Sequence, residues 1–227
     1  GTASPATALD VVGNATITVA DNSDALTIVS TDADASVGPV LNLYRNSASP
    51  ADNDVLGRII FKGEDDAGNA ATFARIEATA TDVSNGSEDG RIDFITAKDD
   101  SFSAALSVLG DKIGVGTTSP KRHLHVNGGN ESTKIQITNQ TTGSASDGDG
   151  FQLGIATNGT ANIEQRENAD MLFTTNNTER FRFGSSGQLG IGGATYGTSG
   201  QVLTSGGSGA APTWADAAGG GGQFDAV

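Results

Sequence analysis

The residues best equipped for chemistry are His123 and His125, separated by Leu124. Positions i and i+2 of an extended strand share a face. Three copies of the chain around an axis would therefore gather six imidazoles, enough for an octahedral transition metal. Leu124 and Val126 occupy the alternate positions, and their apolar character marks that side as core-directed. Both histidines are accordingly read as outward and solvated, with no metal expected.

The carboxylates are numerous but scattered. Glu64, Asp65 and Asp66 fall together before Gly68 and Asn69. Their spacing lacks the alternating oxygen ligands of a calcium loop, so no calcium is assigned. A glycosidase needs two carboxylates at a set separation on rigid elements, whereas Asp32, Asp34, Asp52, Asp54, Asp65 and Asp66 lie in turn-like stretches. There is no cysteine to act as nucleophile or ligand, and neither histidine lies in a Gly-x-Ser-x-Gly elbow. Gly190, Ile191, Gly192 and Gly193 are followed by no helical pattern, so they do not form a phosphate loop. Catalytic, cofactor-binding and metal residues are all read as none, and the chain is not expected to be an enzyme. Sequons at Asn14, Asn139 and Asn158 are attributed to the abundance of Asn and Thr.

The elements that would position such groups must be thin. Of 227 residues, 36% are hydrophobic but only 5% aromatic, with one Trp, two Tyr and nine Phe along the whole length. A thick globular core cannot be built from this set, while an elongated chain can cover its apolar faces with other copies. The net charge of -14 argues against nucleic acid and anionic membranes, which require clustered Lys or Arg. No apolar run approaches the roughly 20 residues of a membrane-spanning helix, so membrane insertion is not expected. Gly1 stands inside a repeat motif whose preceding residues are missing, which suggests an excised fragment.

Short β-type runs dominate residues 1–113. Runs at 15–19, 25–29, 40–44 and 58–61 carry β-branched or large apolar residues between turn formers. The best helix candidate is 50–56, with Ser49 as cap and Pro50 at the first helical position. A hairpin is expected from 57–63 and 71–78 around the acidic turn, and a second from 79–83 and 90–96 around Asn85-Gly86. The unit closes through 105–108 and 112–116.

A second unit, 114–192, closes in parallel fashion. Residues 171–175 match 92–96, 181–183 match 106–108, and 188–192 follow as 112–116 do, a self-similarity that points to stacked modules. No counterpart of 50–73 is expected there. Residues 193–227 form a Gly- and Ser-rich tip, with 219–222 as linker. Trp214 is read either as a core plug or as an exposed platform for stacking carbohydrate. The 141–150 loop is a candidate contact loop.

Residues 114–128 organise the chain: a strand ending in Gly-Val-Gly, a stiff turn closed by Ser119-Pro120, and a strand carrying Leu124 and Val126. Their outline occurs at residues 1–13 and again from Gly190. This Gly-[Ile/Val]-Gly-Thr-x-Ser-Pro-x-x-x-Leu-x-Val pattern resembles the junction repeat of bacteriophage tail fibres and related trimeric virion appendages. Many of these carry a C-terminal intramolecular chaperone that is cleaved after folding. Residues 54–61 with 65–69, 165–173 and 200–206 look like the same family, so the resemblance covers most of the chain.

The resemblance implies an all-β, elongated, intertwined homotrimer of β-prism or β-barrel repeats with narrow necks. It implies a structural fibre protein of the virion tail, extracellular, partnered by itself, by other tail proteins and by a host-surface glycan or protein. A bacterial extracellular adhesin or filament subunit is the alternative. A polysaccharide depolymerase comes third, since some relatives degrade polysaccharide.

Overall fold

The computed structural model describes residues 11–143 and 146–217. Among them the fold is all-β, without a helix, and its sheets are open, none closing into a barrel. The first sheet runs in strict sequence order through β1 (Asp54–Glu64), β2 (Ala70–Asp82), β3 (Asp89–Lys98), β4 (Ser101–Leu109), β5 (Lys112–Val115) and β6 (Leu124–Val126). Every neighbouring pair is antiparallel except β5 with β6, which is parallel. The short crossover of residues 116–123 therefore returns the chain in the same direction, and it belongs to the junction stretch.

Glycine makes that crossover possible. At Gly114 a side chain would collide with the carbonyl of Thr117, and at Gly116, where φ is 71°, with that of Asn127. The Asn127 amide donates to the Val115 carbonyl at 2.9 Å, and the Ile113 amide to the His123 carbonyl at 2.8 Å. The fold-back is thus tied at both ends of β5.

The second unit comprises a three-stranded sheet of β7 (Thr133–Ile137), β8 (Phe151–Ile155) and β9 (Ala161–Gln165), then a meander of β10 (Met171–Thr175), β11 (Thr178–Phe183) and β12 (Leu189–Ile191). A hairpin of β13 (Gln201–Thr204) and β14 (Thr213–Asp216) follows. The expected self-similarity is present in the ladders. Ile92 faces Val108 as Met171 faces Phe183, and Phe94 faces Leu106 as Phe173 faces Phe181. A register shift follows Phe94 and Phe173 alike. The Gly116 amide donates to the Ala105 carbonyl at 3.1 Å, and the Gly192 amide to the equivalent Arg180 carbonyl at 3.0 Å.

Four expectations are corrected. The runs at 15–19, 25–29 and 40–44 are not strands, because a β-type run needs a partner edge and none is paired with them. Residues 50–56 are not a helix: Asn53 has a left-handed φ of 68°, the Ala51 amide donates to Asp54 Oδ2 at 3.1 Å, and the ladder to β2 begins at Asp54. The two expected hairpins share one strand, since β2 runs unbroken and pairs with β1 and β3. The second unit does have a shortened counterpart of the first hairpin, in β8 and β9. There Gln152 faces Glu164 and Leu153 faces Ile163, as Arg58 faces Glu77 and Ile59 faces Ile76. Its turn repeats too, with the Gly159 amide on the Ala156 carbonyl at 2.9 Å where the Gly68 amide meets Asp65 at 3.1 Å. The motif at 1–10 and the linker at 219–222 lie outside the described residues.

Candidate functional site

The ladders fix which side chains share a face, and the first sheet sorts them by polarity. One row crosses all six strands: Ile59, Ile76, Phe94, Leu106, Val115 and Val126. The neighbouring row on that face is Gly57, Ala78, Ile92, Val108, Ile113 and Leu124. This face is open: Phe94 is 42% exposed, Ile59 44% and Leu124 56%.

The opposite face carries Arg58, Glu77, Asp93, Ser107, Gly114 and His125 in one row, and it is the better covered side. Asp93 is 2% exposed and Ser107 is fully buried. Arg91 Nε donates to both Asp93 oxygens at 3.0 and 2.8 Å, and the Ser107 hydroxyl donates to Oδ1 at 2.6 Å. Glu77 accepts from Arg58 and lies 3.4 Å from Arg75 Nε. Buried charges hold only when they are paired and hydrogen-bonded, as the Asp93 and Glu77 carboxylates are, while the buried Arg75 Nε makes no hydrogen bond.

The same division recurs twice. In the second sheet Ile135, Leu153, Ile163, Ile137 and Phe151 share one face. Behind them Lys134 Nζ donates to Gln152 Oε1 at 3.0 Å and Glu164 Oε2 at 2.7 Å. In the third, Met171, Phe173, Phe181, Phe183, Leu189 and Ile191 share a face, with Phe173 stacked on Phe181 at 4.2 Å between centroids. Behind them Arg182 Nη1 donates to Asp170 Oδ2 at 2.7 Å and Nε to Glu179 Oε1 at 2.6 Å. These bonds, more than charge proximity, hold both carboxyls below their ordinary range against a smaller opposing effect of burial.

The three apolar faces join. Val126 lines an open groove of about 410 Å³ with Ile135, Leu153 and Ile163. Ile163 then lines another, of about 400 Å³, with Met171, Phe173 and Phe183. A continuous apolar strip therefore runs from the first sheet to the third, while Ile95, 6% exposed, is the one buried hydrophobic residue among those described. The chain exposes 17313 Å², against about 9,600 Å² for a compact monomer of its mass. Part of that surface belongs to the stretch before β1, which lies outside any sheet, and part to the apolar rows of the three sheets.

The residues singled out in the sequence do not converge on a site. His125 lies opposite Gly114 on the polar face, accepting from the Lys121 amide at 3.4 Å, while His123 is largely exposed beside Asp111 at 3.3 Å. Among the described residues no cluster of three His, Cys, Asp or Glu could hold a metal. Asp65 Oδ1 accepts from the Ala67 and Asn69 amides at 2.9 and 2.7 Å, so that carboxylate closes its own turn. The indole of Trp214 lies against Gly197 and donates to the Thr195 carbonyl at 3.0 Å, which anchors the loop after β12 to the last hairpin. Within the candidate contact loop, the Ser146 and Asp149 carbonyls accept from Gln136 Nε2 at 2.9 and 2.8 Å.

Sequence reasoning missed the polar faces. Their signal was present in the alternation of 91–94, where Arg91 and Asp93 alternate with Ile92 and Phe94. No protein-family model matches the chain, and no curated protein matches it.

Proposed function

We propose that the chain is a structural segment of an extracellular fibre, a phage tail fibre that links a virion to the surface of its host. Three copies associate as a closed, elongated homotrimer, each covering the apolar strip of its neighbours. The continuity of that strip across three successive sheets is the observation that supports this reading best, because a lone domain would bury such faces internally. Burying one large apolar side chain contributes about 1.5–3 kcal/mol, and the strip offers many along one line. Stacked sheets whose apolar faces are covered by copies unfold slowly, which suits an exposed fibre. Three copies of a weak contact with a host glycan or protein gain strength through avidity.

The test is electrophoresis of unheated and heated samples in SDS, with electron microscopy of the same preparation. Rods of uniform length and a band of about three chains that collapses only on heating are expected. Rods that lengthen with concentration would replace the virion fibre with a cellular filament. Release of reducing sugar from host polysaccharide would replace it with a depolymerase.

A further inference from the structure

The two units differ at one sheet edge. In the second, β7 pairs along the outer edge of β8, with Ile137 opposite Phe151 and Ile135 opposite Leu153. In the first, the equivalent strand β1 has no partner on its outer edge among the described residues. An edge with unpaired amides and carbonyls invites pairing with other chains.

Residues 40–44 stand to β1 as β7 stands to β8. Since Arg58 corresponds to Gln152 and Ile59 to Leu153, Gly57 corresponds to Phe151. The connection from Leu43 to Gly57, residues 44–56, is as long as the one from Ile137 to Phe151, residues 138–150. The sequences correspond as well: Leu41, Asn42 and Leu43 present the apolar, amide, apolar pattern of Ile135, Gln136 and Ile137. Leu43 already lies beside Gly57, at 3.3 Å from the position a β-carbon would take there. Two residues on, Arg45 Nη1 donates to the Val55 carbonyl at 3.1 Å and pairs with Asp54 at 2.9 Å. Moving forward on one segment and backward on the other is the antiparallel direction that β7 takes along β8.

We infer that residues 40–44 are a strap that closes onto the outer edge of β1 as a seventh strand, in the register Leu43 to Gly57 and Leu41 to Ile59. Closure sets Leu41 and Leu43, now 63% and 50% exposed, on the apolar face beside Ile59. It sets Asn42 on the polar face beside Arg58, as Gln136 stands beside Gln152. The strap removes the free edge of the first sheet, so that copies meet through faces and do not add edge to edge without limit. This inference does not depend on the number of copies in the assembly.

The chain has no cysteine, so cross-linking has no background. Leu41→Cys with Ile59→Cys places two thiols on facing residues of an antiparallel pair, within disulfide reach. Mild oxidation is expected to bridge them within one chain, as read by denaturing non-reducing gels and peptide mapping. The slipped pair Leu41→Cys with Phe61→Cys is expected to stay reduced. Preference for the slipped pair, failure of both, or bridges joining two chains would overturn the in-chain strap. Hydrogen exchange on the unaltered chain gives a second reading: alternate amides within 40–44 should be slow, and uniformly fast exchange there would contradict the inference.

Discussion

The first sheet and the second unit are built from the same hairpin and the same meander, yet the first is a single six-stranded ladder and the second splits into two sheets of three strands. The difference lies in one strand. β2 spans Ala70–Asp82, long enough to pair with β1 and β3 on its two sides. Its counterpart β9 ends at Gln165, and the chain then bends, with the Ala169 amide on the Glu167 carbonyl at 2.8 Å. Asp170, held by Arg182 and by the Ser185 amide at 3.0 Å, fixes the start of the meander separately. Sheet continuity is thus set by strand length, whereas the division into an apolar and a polar face survives the split, because alternation is a property of each strand alone. That face is the constant feature, and it is the one assigned to association.

The largest effect is expected where the common face is broken. Phe94→Asp puts a charge in the central apolar row, and the lost burial alone is worth about 1.5–3 kcal/mol in each copy. Sedimentation should show the assembly dissociate, and Phe173→Asp should do the same in the third sheet. Retention of the assembly by both variants would remove the face from the interface. Next comes the polar side. Ser107→Ala deletes a fully buried donor to Asp93, and a loss of about 1–3 kcal/mol is expected in denaturant unfolding, with the number of copies unchanged.

The third sheet should be sensitive to acid. Asp170 and Glu179 have ordinary values near 3.8 and 4.5, and both are lowered by hydrogen bonds from Arg182. A lowered carboxyl contributes stability above its unfolded value and loses it as pH falls through the folded one. Hydrogen exchange across 171–191 should therefore quicken progressively below about pH 4.5, and Arg182→Met should flatten that dependence. A variant with an unchanged acid profile would show the cluster to be idle. The smallest effect is expected at the histidines. His123→Ala with His125→Ala should leave thermal stability within about 0.5 kcal/mol, with or without added nickel. A nickel-dependent rise in melting temperature, lost in the double variant, would reinstate the shared metal.

Local signals were the legible ones. Asn85-Gly86 marked a turn because Gly86 takes a positive φ of 86°. The parallel between 92–96 and 171–175 carried through to ladder partners at equivalent positions, since repeated sequence repeats its register. What sequence could not give was pairing. Nothing in 71–83 distinguishes one long strand from two short ones, as both alternate in the same way. Pro50 after Ser49 signals a helix start as well as a turn, and the pull of β2 on Asp54 decided between them. The buried polar row escaped notice because Glu77, Asp93 and Ser107 lie far apart in the chain and meet only across the ladder. The histidines were conspicuous for the opposite reason, being adjacent in sequence while each has a separate local partner.

The most direct measurement is the mass in solution by sedimentation equilibrium. The proposed fibre requires one species at three times the 22.8 kDa chain mass, unchanged on dilution until it unfolds. A stable, folded monomer would contradict it, because the continuous apolar strip would then be exposed to water with nothing to cover it.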